Sequence, residues 1–74
     1  MEYICEVHLF RIEISGEKLI GHANLFKDGE SYFIEYNDQR IKVEQTSGRE
    51  FRIQAEGYEL IFARLEEEGI HFLH

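Results

Sequence analysis

The chain reads as an all-β protein, a seven-stranded antiparallel meander curled into a small barrel or a tight sandwich. Three observations carry that expectation. Turn-forming residues recur at Ser15-Gly16, Asp28-Gly29, Asn37-Asp38, Ser47-Gly48, Glu56-Gly57 and Gly69, close to the spacing of about 8–12 residues that marks short strands. Between them apolar and polar residues alternate, as they do in a strand with one face buried. There is no proline, so every run keeps a full set of backbone donors for a ladder.

The first run is apolar at Tyr3, Cys5, Val7 and Leu9, then at Phe10, Ile12 and Ile14, so its phase flips between Leu9 and Phe10. A β-bulge causes such a flip and bends a long strand so that it can turn a barrel corner. A four-residue loop from Ser15 to Lys18 sets Ile14 against Leu19, Ile12 against Gly21 and Phe10 against Ala23. The second run turns at Asp28-Gly29, a strong hairpin signal. This pairs Leu25 with Tyr32, Ala23 with Ile34 and Gly21 with Tyr36. Gly21 and Ala23 then lie between large neighbours, which lets a curved layer interdigitate.

A four-residue loop from Asn37 to Arg40 pairs Tyr36 with Ile41 and Ile34 with Val43. Ser47-Gly48 admits two registers: one ends the loop on Gly48 and faces Glu44 with Glu50, the other pairs Glu44 with Arg52. Glu56-Gly57 closes a hairpin with Ile53 opposite Leu60 and Phe51 opposite Phe62. These pairings share one inward face, which is what fixes a register. One segment has an alternative. Tyr58, Ile61, Phe62 and Leu65 also fall at helical spacing, and Gly69 would end a helix. A helix near residues 58–68 would make the fold α+β.

The length of 74 residues suits a single β domain spanning residues 1–74. A domain of this size buries side chains but hardly encloses a small-molecule cavity. With 43% hydrophobic residues the chain is too apolar for disorder. The single cysteine, Cys5, excludes an internal disulfide and fits a reducing compartment. No apolar run approaches the roughly 20 residues of a membrane helix, and the first residues are acidic where a signal peptide is basic. A cytoplasmic location is therefore expected. The formal charge is −7; nucleic-acid binding depends on neutralising phosphates with Lys and Arg, so such partners are disfavoured and basic ones favoured.

No catalytic, metal or nucleotide signature stands out, and neither glycine-rich phosphate loop is present. The register predicts a polar row on the outer face, Arg11, His22, Glu35 and Lys42, which reads as a stabilising charge ladder. His22 with Glu35 would be an acid–base pair, but without a nucleophile, an oxyanion site or a cleft. His71 and His74 point to opposite faces of a strand and have no further ligands by spacing. Cys5 sits at an inward position as a small hydrophobe, and Glu66-Glu67-Glu68 reads as a solvated turn. The basic residues Arg40, Lys42, Arg49 and Arg52 are diluted by Glu35, Glu44 and Glu50. No catalytic residue, metal or cofactor is expected.

What remains is apolar. Ile20, Phe26 and Phe33, together with Ile61 and Leu65, face away from the expected core, and a contiguous exposed apolar patch marks an interface. The expected function is a non-catalytic protein-binding module with an acidic, partly apolar outer face. It would be a small inhibitor, an adaptor or a homo-oligomer subunit, its partner another protein or a second copy. A barrel with a shallow small-ligand site is the alternative, and an acid–base enzyme using His22 and Glu35 the third.

Overall fold

The computed structural model describes residues 1–65. They form six strands: β1 (Glu2–Glu13), β2 (Gly16–Asp28), β3 (Ser31–Tyr36), β4 (Gln39–Gln45), β5 (Glu50–Ile53) and β6 (Ile61–Leu65). Each pairs antiparallel with the next, and β6 pairs back onto β1 to close a barrel. The all-β expectation holds, with six strands where seven runs were counted; the seventh run, residues 70–74, lies outside the described residues. The strand-or-helix segment is strand over Ile61–Leu65, and no helix occurs among the described residues.

Two hairpins differ from the expected loops: β2–β3 keeps a two-residue loop but moves it by one residue, and β3–β4 tightens from four residues to two. In β2–β3, Asp28 faces Ser31, so the loop is Gly29-Glu30. Positive φ occurs at Gly29 (66°) and not at Glu30, the pattern of a type II′ turn, whose twist matches that of the strands. In β3–β4, Tyr36 faces Gln39, and Asn37 and Asp38 both take left-handed φ, 53° and 62°. That is a type I′ turn, built from the short polar side chains that tolerate it best. Leu25 thus faces Ile34, Ile34 faces Ile41 and Tyr32 faces Val43. Each pairing lies two residues from the expected one, and an even slip leaves every side chain on its face.

The β1–β2 hairpin needs a larger correction. Its loop is Ile14-Ser15, with Glu13 facing Gly16, and its register shifts between Leu9 and Phe10. The flip lies where the sequence puts it, but the unpaired residue is Ile20 on β2, between Leu19 (opposite Phe10) and Gly21 (opposite Leu9). A second bulge leaves Ile4 unpaired on β1. Because the extra residue there is on β2, β1 alternates without interruption from Cys5 onward: Val7 and Leu9 point in, Phe10 and Ile12 point out. Ile12 is 49% exposed and Ile14, at the tip, is fully exposed.

In β4–β5 the charge-matched register wins. Glu44 faces Arg52 and is ion-paired to it, and Thr46 N–H donates to the Glu50 carbonyl at 2.9 Å. In β5–β6, Phe51 faces Ala63 and Arg52 faces Phe62, a slip of one residue, which exchanges the faces. Leu60 and Phe62 leave the inside, while Ile61 and Leu65 pack against the core. The reason is space at the closure. Ala63 is enclosed between Leu9 on one side and Phe51 on the other, and a narrow barrel packed to interior density has no room for a ring there.

The interior is filled by Val7, Leu9, Ala23, Leu25, Ile34, Ile41, Val43, Phe51, Ile53 and Ala63. Small residues do sit between large ones. Gly21 faces Leu9, and the Tyr36 ring lies 3.5 Å from where a Gly21 Cβ would be.

Candidate functional site

The register that closes the barrel assembles an outer face no single hairpin carries. Phe10 on β1 lies opposite Phe62 on β6, and the two rings stack with centroids 5.5 Å apart and planes 19° from parallel. The Arg64 guanidinium carbon lies 4.7 Å from the Phe10 ring centre and 5.2 Å from that of Phe62. From there Arg64 reaches two strands. Its Nε and Nη2 donate to Glu50 on β5 at 3.1 and 2.9 Å, and Nη2 donates to both carboxylate oxygens of Glu17 on β2 at 3.0 Å. The hydrogen bond to Glu50 is the main cause that raises the Arg64 pKa above its ordinary value, with Glu17 adding to it. This clamp spans β5, β6, β1 and β2 across the closure.

Beside the clamp lies an apolar strip. Leu19 is opposite Phe10, Ile12 follows Phe10 on the same face of β1, and Ile12 N–H donates to the Leu60 carbonyl at 2.8 Å. Leu19 is 51% exposed and Leu60 57%. A surface groove of about 420 Å³ runs along it. Ile12, Ile61 and Phe62 contribute apolar surface to it, and Glu13, Glu17, Glu50 and Glu59 contribute carboxylates, with Arg52 beside them. Arg11 is held by Glu13, Arg52 by Glu44, and Arg64 by Glu17 and Glu50. Apolar floor and acidic rim together suit a long cationic side chain, whose stem packs while its head stays among carboxylates.

The interface candidates from the sequence are placed differently from one another. Ile20, the bulged residue, is half-buried and packs against the core, so it does not belong to an outer patch. Phe26 and Phe33 do face each other across β2–β3, and Tyr3 sets its ring edge-on to Phe26 at 5.6 Å. All but Tyr3 are half-buried, and this aromatic row offers less free surface than the strip.

The expected polar row does not form, because the turns, two of them shorter than expected and one moved along the chain, slide its members past one another. Arg11 faces Lys18, His22 faces His8, and Lys42 faces Phe33. Glu35 faces Asn24 and Arg40, and Arg40 Nη2 donates to it at 3.2 Å. His22 and Glu35 therefore do not stand opposite each other. Cys5, opposite Leu25, packs against the core as expected. His71, His74 and Glu66-Glu67-Glu68 lie outside the described residues.

Two features escape the sequence reading. The apolar strip could have been found by keeping β1 in unbroken alternation from Val7 onward, which sends Phe10, Ile12 and Ile14 outward. The Arg64 clamp joins residues as far apart as Glu17 and Arg64, and only closure of the barrel brings them together. Comparison with protein-family models, with curated proteins and with solved structures finds no match to the chain.

Proposed function

We propose that the chain is a non-catalytic protein-binding module whose contact surface is the apolar strip at the β1–β2 end of the barrel. Its partner is a protein segment that carries Lys or Arg beside apolar side chains. The observation that carries this reading is the register that sets the exposed Ile12, Leu19 and Leu60 on and beside the strands that carry the Phe10–Phe62 stack, with the exposed Ile14 at the adjoining hairpin tip. Single exposed apolar residues need no explanation. A connected group gains roughly 25 cal/mol for each Å² covered. The acidic groove beside it and the charge of −7 select a basic partner and speed its approach. A cytoplasmic setting fits a protein whose one cysteine packs among apolar side chains.

The test uses two synthetic peptides, one alternating Lys with Leu and one alternating Glu with Leu, titrated into the isotope-labelled full chain and followed by NMR. The Lys/Leu peptide is expected to shift the amides of Ile12, Ile14, Leu19 and Leu60, and salt to weaken that response. The folded double variant Ile14→Ser/Leu19→Ser should lose it. An equal response to both peptides, or shifts centred elsewhere, would overturn the assignment. Light scattering on the same samples decides the competing occupant. A wild-type dimer that the double variant dissolves would replace the basic partner with a second copy of the chain.

A further inference from the structure

We propose that His8 and His22 form a two-imidazole chelating site for a divalent transition-metal ion such as Cu²⁺ or Zn²⁺. The two residues are directly opposite in the β1–β2 ladder, with ring centroids 4.8 Å apart and planes inclined by 58°. Both belong to the outer face, because their neighbours Val7, Leu9 and Ala23 are buried inside.

The separation can be compared with what chelation demands. A metal–nitrogen bond is about 2.0–2.1 Å, which puts the ion roughly 3.2 Å from each ring centre. Two rings on one ion at angles between square and tetrahedral then have centroids about 4.5–5.2 Å apart. The observed 4.8 Å falls inside that range, so the two rings stand at the separation that a shared ion requires. The backbone is also held. Val7 and Leu9 flank His8 and are fully buried, and the Phe10 ring stands edge-on to His8 at 6.3 Å. A preorganised pair loses little freedom on binding, which is what makes two donors act as a chelate.

Surrounding charge permits a cation. Arg64 lies opposite His8 on β6, but its guanidinium sits over Phe10 and is tied to Glu17 and Glu50. Imidazole suits copper and zinc, with copper bound more tightly. Among the described residues no group of three or more His, Cys, Asp or Glu gathers around a common point. The pair therefore supplies two ligands and leaves the remaining positions to water or to a donor from another molecule, an open site.

The experiment is calorimetric titration of the full chain with CuCl₂ and, separately, ZnCl₂ in a non-chelating buffer. Paramagnetic broadening by Cu²⁺ is followed by NMR on the same protein. One equivalent is expected to bind, Cu²⁺ more tightly than Zn²⁺, with broadening centred on residues 7–9 and 21–23. His8→Asn and His22→Asn should each weaken binding at least about tenfold, whereas His71→Ala/His74→Ala should leave it unchanged. Binding indifferent to His8 and His22, binding lost with the terminal histidines, or broadening centred elsewhere would each overturn the site. The broadening experiment needs no variant, so a substitution that unfolds the chain does not protect the proposal.

Discussion

At Gly29 the backbone has φ +66°, and a Cβ there would meet nothing within 4 Å, so conformation alone decides what the position tolerates. A residue with a Cβ strains in the left-handed region by roughly 1–2 kcal/mol. Gly29→Ala is expected to destabilise by that amount. Gly21 is the opposite case. Its φ is unexceptional and a Cβ would touch the Tyr36 ring at 3.5 Å, ordinary contact. Gly21→Ala should therefore be neutral or gain up to about 1 kcal/mol from reduced freedom of the unfolded chain. Thermal unfolding of the two variants checks both; the reverse order would refute the account. Turn residues were legible at this scale because Asp28-Gly29 and Asn37-Asp38 advertise left-handed backbone. Which of them occupy the loop was not, since that depends on the twist of strands that do not yet exist in a sequence.

The β1–β2 hairpin illustrates what a single element can and cannot specify. Alternation marks both strands, and the bulge is visible as a break in phase between Leu9 and Phe10. Which strand carries the extra residue is decided outside the hairpin. β2 pairs with β3 only from Asn24 to Asp28, and β1 pairs with β6 only from Val7 to Arg11. The stretch from Gly16 to Ala23 thus has a ladder partner on one side, among the described residues. Its tip carries the exposed Ile14 and Leu19. Segments with few buried contacts open locally, well below the free energy of global unfolding. Amide exchange should accordingly be fast for Gly16 to Leu19, and slow for Val7, Leu9, Leu25 and Ile34. Uniform protection along the hairpin would show that it does not overhang the barrel.

For the whole molecule, closure is the decisive event, and Arg64 ties its strands together. It bridges Glu50 and Glu17 across the two strands that separate them, β6 and β1, and covers both rings of the Phe10–Phe62 stack. Its side chain remains 27% exposed, so solvent screening limits each ion pair to a fraction of a kcal/mol. With the ring contacts added, Arg64→Met is expected to cost about 1–2 kcal/mol. Arg40→Met removes a pair local to one hairpin, Arg40 with Glu35, and should cost under about 0.5 kcal/mol. Urea unfolding of both ranks them, and equal losses would remove the clamp's special role. The raised pKa of Arg64 stabilises the fold at every pH below its unfolded value. That contribution fades only in strong alkali, so the guanidinium introduces no pH dependence near neutrality.

Alternation, turn spacing and the absence of proline determined that this chain is an antiparallel β meander, because these are local properties that any register must respect. They also determined most of the core. Leu25, Ile34, Ile41 and Val43 are buried under the expected register and under the observed one, since a slip of two residues leaves faces unchanged. Tertiary structure decided the faces of Leu60 and Phe62, where the slip is odd, and of Phe10 and Ile12, where the bulge falls at Ile20 on β2 and not on β1. Space between Leu9 and Phe51 admits Ala63 and not a ring. The same closure brings Arg64 to Glu17 and lays out the apolar strip, and the hairpin's bulged register sets His8 against His22. The candidate surface was therefore legible as a type, acidic and partly apolar. Its location required the ring of strands to close.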